Sequence, residues 1–191
     1  MMEQSSRFLS LSGLSGILIG VYAIAGAYVA HWIILLQPDK SYLEFAFSEL
    51  MLKLTLLATA ILVLSLVTVV WLTHRRVKKS GKKIWNRGSR LMCLNLAIPL
   101  ATGGFVILFF LLHGNYKIAA SFSLIFYGLA LVNAAKFTHQ EIFYMGLFQI
   151  LLGMLAIVFS GMSLLFWAIG FGLIHVSYGA VMYFRYEKNS E

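Results

Sequence analysis

Leu54-Thr55-Leu56-Leu57-Ala58-Thr59-Ala60-Ile61-Leu62-Val63-Leu64-Ser65-Leu66-Val67-Thr68-Val69-Val70-Trp71-Leu72 runs for nineteen residues without a charge. As a helix, a stretch of that length reaches across the roughly 30 Å hydrocarbon core of a bilayer. Two residues later the character reverses. Arg75-Arg76-Val77-Lys78-Lys79-Ser80-Gly81-Lys82-Lys83-Ile84-Trp85-Asn86-Arg87-Gly88-Ser89-Arg90 carries eight Lys/Arg and no acid. An uncharged span ending on a basic segment is the pattern of a membrane helix and its cytoplasmic flank.

Working outward, five more apolar stretches appear. The six spans read as about 9–36, 50–74, 91–113, 116–137, 142–161 and 163–184. They fill most of the 191 residues, which are 60% hydrophobic and 12% charged, with a mean hydropathy of +0.85. Soluble domains carry about 25% charged residues. The expected fold class is therefore all-α: a polytopic integral membrane protein forming a single six-helix transmembrane domain over residues 1–191. Arg7 precedes the first span, which outruns a signal-peptide core and lacks a clear cleavage site; it reads as a retained helix. A lone cysteine, Cys93, excludes an internal disulfide and a paired-cysteine metal site.

The charge of +8 is distributed unevenly. Placing 75–90 inside puts both termini inside by alternation. Arg7, Lys136, Arg185 and Lys188 then join the eight basic residues of that loop. Twelve cationic residues fall inside and only Lys40, Lys53 and Lys117 outside. Arg75, Arg76, Lys78, Lys79, Lys82, Lys83, Arg87 and Arg90 are read as a membrane-surface set that touches anionic headgroups. That account is preferred to nucleic-acid binding, so membrane lipids are the expected partner and nucleic acid is not. Trp85 suits an interfacial anchor. On the outer side, Pro38 and Asp39 suit a helix start. Glu49 and Lys53 have the acid-first i,i+4 spacing that supports a helical pair. The segment 37–50 reads as an outward extension of the second helix or as a cap over a cavity.

Small residues at helical spacing mark where membrane helices pack, because water exclusion does not operate between them. The first span has Ser12, Gly16, Gly20, Ala23, Ala27 and Ala30; the fifth has Gly146, Gln149, Gly153, Ala156 and Ser160; the sixth has Ala168, Gly172, His175 and Gly179. These stripes predict three helices with closely approaching backbones. Gln149 and His175 lie on them and should point inward, in the inner half of the membrane. Asn95 and Asn133 fall near the same side. Pro99 cannot donate to the carbonyl of Asn95 and leaves an acceptor there. Asn95, Asn133, Gln149 and His175 are therefore the candidate ligand-binding cluster. They serve either as structural glue between helices or as a polar pocket opening to the cytoplasm.

All seven acids lie in loops, tails or near the interfaces. No hydrolase, metalloprotease or phosphate-binding motif is present, so no catalytic residue, metal site or cofactor is assigned and an enzymatic role is not expected. His31 and His113 are matched in depth on the outer side, which keeps a b-type haem protein as one alternative. Phe109, Phe110, Phe122, Phe126, Tyr127, Phe166, Trp167 and Phe171 face either lipid or a cavity.

Spans three and four, joined at His113-Gly114-Asn115, form one helical hairpin. Spans five and six, joined at Ser160-Gly161-Met162, form another. Their second helices align at Phe126-Tyr127-Gly128-Leu129 and Gly170-Phe171-Gly172-Leu173, giving a parallel repeat rather than the inverted one of many transporters. The stretch from Gly146 to Phe159, with Ser160-Gly161-Met162-Ser163-Leu164-Leu165-Phe166, resembles the hairpin of the HdeD-like family. Those are small six-helix bacterial inner-membrane proteins, some linked to acid stress. The likeness covers about 100–185; Ser160-Gly161 stands where the family has a turn proline. The block from Leu164 to His175 and on through Tyr183-Phe184-Arg185-Tyr186-Glu187 also resembles uncharacterised membrane proteins of Bacteroidetes. These resemblances imply a bacterial cytoplasmic membrane.

The functional expectation is a non-enzymatic membrane protein binding a small or lipid-like molecule or a partner helix within the bundle, in envelope stress tolerance. The alternative is a small transporter or channel with a path near Asn95, Asn133, Gln149 and His175. The Ala/Gly faces fit a homo-oligomer as well as internal packing.

Overall fold

The computed structural model describes residues 13–36, 43–80 and 87–187. They form six helices and, among the described residues, no strand. α1 is Gly13–Leu35, α2 Leu43–Ser80, α3 Arg87–Leu112, α4 Tyr116–Ala134 and α5 Gln140–Val158. α6 is composite: α-helical over Ser163–Trp167, π-helical over Ala168–Ile174, α-helical over His175–Met182 and π-helical over Tyr183–Glu187. All six are long and apolar enough to cross a membrane.

Helix ends follow local chemistry. The basic segment expected as a loop is helical at both ends, because α2 runs on to Ser80 and α3 starts at Arg87. Lys and Arg are good helix formers, and no glycine interrupts α2 before Gly81. α2 also begins well ahead of its apolar stretch, at Leu43, and the Glu49–Lys53 pair closes at 2.7 Å. Arg7, Ser12, Pro38, Asp39, Lys40, Lys82, Lys83, Trp85 and Lys188 lie outside the described residues.

The α3–α4 turn is a Schellman cap. Gly114 has φ 76°, the left-handed region that favours glycine. Its N–H donates to Leu111 O at 3.0 Å, and the Asn115 N–H donates to Phe110 O at 2.8 Å. The α5–α6 turn is tied instead by a side chain: Ser163 Oγ donates to Ser160 O and Ala156 O at 2.9 and 3.1 Å.

Packing follows glycine. A Cβ on Gly20 of α1 would stand 2.7 Å from the Gly172 carbonyl oxygen of α6, and one on Gly16 would stand 3.0 Å from Gly179 Cα. These two backbones therefore meet directly, through the stripes expected on both. The stripe of α5 finds a different partner. A Cβ on Gly146 would stand 2.8 Å from Gly128 O, and one on Gly153 would stand 2.9 Å from Ser121 O, both on α4. The aligned glycines of the two hairpins are thus both contact points: Gly128 meets α5 and Gly172 meets α1.

α4, α5 and α6 pack mutually, and α1 lies against α6. The remaining two helices sit at the edges. α2 lies on α1, where Ile61 fills the space over Gly26 and Tyr22 Oη lies 3.5 Å from Thr68 Oγ1. α3 lies on α4, where Phe126 covers Gly103 and Phe110 stacks on Phe122 at 5.5 Å. α2 and α3 are neighbours in sequence yet touch little.

Candidate functional site

Three helices place their middles at one spot. Gln149 is nine residues from either end of Gln140–Val158. Tyr127 is at the centre of the Tyr116–Phe137 span, and Gly170 is near the middle of Ser160–Arg185. The stripe on α5 turns Gln149 inward, where it is fully buried; His175 is 2% exposed.

The junction is a backbone atom. Gln149 Nε2 donates to Gly170 O at 2.8 Å, and His175 Nδ1 lies 3.1 Å from the same oxygen. A carbonyl only accepts, so Nδ1 carries the proton and Nε2 offers a lone pair. Tyr127 Oη, 2.8 Å from Nε2, supplies the matching proton. The chain therefore runs Tyr127 Oη–H to His175 Nε2, His175 Nδ1–H to Gly170 O, and Gln149 Nε2–H to Gly170 O. It joins α4, α5 and α6.

The widened π-helical turn Ala168–Ile174 places this carbonyl where side chains reach it. Glycine at 170 leaves room for two side-chain tips. A Cβ there would strike Leu124 and would lie 2.5 Å from Gln149 Oε1. Oε1 itself has no hydrogen-bond partner and rests against the glycine.

Four rings border the chain. Tyr127 and Phe171, aligned residues of the two hairpins, lie 5.1 Å apart. Trp167 is 5.0 Å from Phe171, and the His175 ring is 5.4 Å from Tyr127 and 5.8 Å from Phe171. Tyr127, Trp167 and Phe171 are half-buried, so the ring group has an accessible edge while Gln149 and His175 do not. Towards the chain termini of these helices, Arg185 Nη1 donates to Glu141 Oε1 at 2.8 Å and ties α6 to the start of α5.

Two of the four expected cluster residues thus converge, and two do not. Asn95 Nδ2 donates to Leu91 O at 2.8 Å on its own helix. An amide at this position satisfies itself on the preceding turn and needs no partner helix. Asn133 is half-buried on α4, six residues beyond Tyr127 and on another side of the helix. The expected four-residue cluster is corrected accordingly: Tyr127 and the Gly170 carbonyl take the places given to Asn95 and Asn133.

His113 Nδ1 is 2.7 Å from Phe109 O and its ring lies 4.2 Å from that of Phe109, so it is engaged within α3. His31 is exposed on α1. Among the described residues no group of three His, Cys, Asp or Glu is placed to hold a metal ion. Of the basic set, Arg75 stacks 4.0 Å over the Trp71 ring, while Lys78, Arg87 and Arg90 are exposed. The side chains of Arg76 and Lys79 lie outside the described residues. No protein-family model, curated protein or solved structure matches the chain.

Proposed function

We propose that this chain is a non-enzymatic, six-span protein of a bacterial cytoplasmic membrane, with both termini inside, that binds a lipid-like molecule against the aromatic edge of Tyr127, Trp167 and Phe171. The observation that carries the reading is the pairing of a buried polar chain with an accessible ring edge at its Tyr127 end. Gln149, Gly170 and His175 fix the position of the Tyr127 ring. The ring group then offers stacking surface at mid-helix depth, where a long apolar molecule lies. The likeness to HdeD-like proteins adds a setting, envelope stress, to this reading. Twelve inner against three outer cationic residues support the orientation.

The test is photo-crosslinking of the full-length protein in lipid nanodiscs with a diazirine-bearing fatty acid. Labelling should concentrate on Tyr127, Trp167 and Phe171 and fall severalfold in a W167L/F171L variant that keeps its unfolding midpoint. Labelling spread evenly over the exposed apolar residues of all six helices would overturn the reading. Water-accessible labelling of Q149C would favour a transport path instead.

A further inference from the structure

The inner end of α2 carries a feature that the aromatic edge does not explain. Leu66, Val67, Val70, Trp71 and His74 line a shallow, almost wholly apolar groove of about 440 Å³ along one flank of the helix. It extends over two helical turns, about 12 Å at 1.5 Å per residue. Arg75 follows His74 in sequence, with its guanidinium 4.0 Å over the ring of Trp71, which lines the groove. Stacking occupies a face of the guanidinium and leaves its in-plane N–H donors pointing outward, in the fork that matches a phosphate. Lys78 is exposed one turn further on. The whole segment 75–90 holds eight Lys/Arg without an acid.

We infer that this groove is a binding site for one anionic phospholipid of the inner leaflet: an acyl chain along Leu66, Val67 and Val70, and the phosphate held by Arg75 with Lys78 beside it. Charge complementarity selects this occupant. A second copy of α2 in the same membrane orientation would bring Arg75 and Lys78 against their own like charges, and Glu49 stands at the opposite end of the helix. A zwitterionic lipid fills the groove equally well but leaves the basic cluster uncompensated. The inference rests on the membrane placement proposed above and not on the aromatic edge.

The experiment is native mass spectrometry of the full-length protein released from nanodiscs made of equal parts phosphatidylglycerol and phosphatidylcholine. The wild type should retain phosphatidylglycerol preferentially. Loss of one cation close to an anionic lipid weakens the contact by roughly fivefold, so R75Q should lower phosphatidylglycerol retention by about that factor. W71L should do the same by freeing the guanidinium, and R75K should fall between. R87Q/R90Q, which alters the same basic segment at exposed positions on α3 outside the groove lining, should change retention little. Equal losses in R75Q and R87Q/R90Q would overturn the site in favour of diffuse surface attraction. A W71L variant that converts a dimer to monomer without changing lipid retention would overturn it in favour of a second copy. Protein recovered from membranes without a phosphatidylglycerol preference overturns this inference alone, whereas protein recovered outside membranes overturns the membrane placement as well.

Discussion

The two most apolar helices of this protein are also its least buried. In the apolar stretches of α2 and α3 only 6% of residues are buried, against 28–39% in α1, α4, α5 and α6. In water the order would be reversed, because apolar area drives burial. Among helices in lipid that drive vanishes, and close contact goes to chains whose backbones can meet. The four inner helices carry the Gly16–Gly179, Gly20–Gly172, Gly128–Gly146 and Gly153–Ser121 contacts. α2 has no glycine at all before Gly81. Small residues, not greasiness, decide which helices form the centre.

The sharpest way to break this contrast is to crowd an inner contact. In G128L, the new side chain would start 2.6 Å from the Gly146 carbonyl oxygen, an atom of backbone that cannot rotate away. Overpacking costs about 1–3 kcal/mol where side chains can adjust; here the loss should reach or exceed the upper end. It would be read as a lowered midpoint in detergent-to-SDS unfolding. Mild destabilisation in G128L would show that α4 and α5 slide apart easily.

A smaller effect is expected from the polar chain. Q149L and Y127F should each cost about 0.6 kcal/mol and at most about 1.7 kcal/mol, the average and the maximum for hydrogen bonds between membrane helices. Gln149 and His175 share Gly170 O, so a Q149L/H175L double variant should lose measurably less than the sum of the single ones. Additive losses in that cycle would mean that the two donors act independently.

Adjacent glycines on α3 give a finer comparison. Gly103 is covered by the Phe126 ring, while a Cβ on Gly104 meets nothing within 4 Å. G103L should displace the α3–α4 contact and lower the unfolding midpoint; G104L should leave it in place. The smallest change is expected on α2, where Leu62 is 59% exposed. Substitutions at such sites stay within about 0.5 kcal/mol, so L62A should be neutral in the same assay. A large effect there would reveal a partner surface on α2.

Much of this was legible in the residues themselves. Spans, the Glu49–Lys53 pair and the α1 and α6 stripes are consequences of length, spacing and side-chain size. Gln149 and His175 could be turned inward on paper because they occupy positions on those stripes. Asn95 shows the limit of that reasoning. Depth and polarity placed it with the others, but an amide can close a bond on its own helix, and the sequence does not reveal which choice it makes. The Gly170 carbonyl was hidden for another reason. Its availability comes from a π-helical turn, a feature of backbone winding rather than of side-chain pattern. Tyr127 left traces in its place among the aromatic residues and in its alignment with Phe171, but neither says that its hydroxyl meets His175.

The direct backbone contact between α1 and α6 has a consequence for biogenesis. The first helix leaves the ribosome long before the last, yet its Gly16 and Gly20 meet that last helix, at Gly179 and Gly172. On the proposed membrane placement, this part of α1 stays without its partner during synthesis until the C-terminal hairpin arrives. Pairing of such distant segments is intrinsically slow, so truncation after α5 should leave α1 without its mate and expose the nascent chain to quality-control proteolysis.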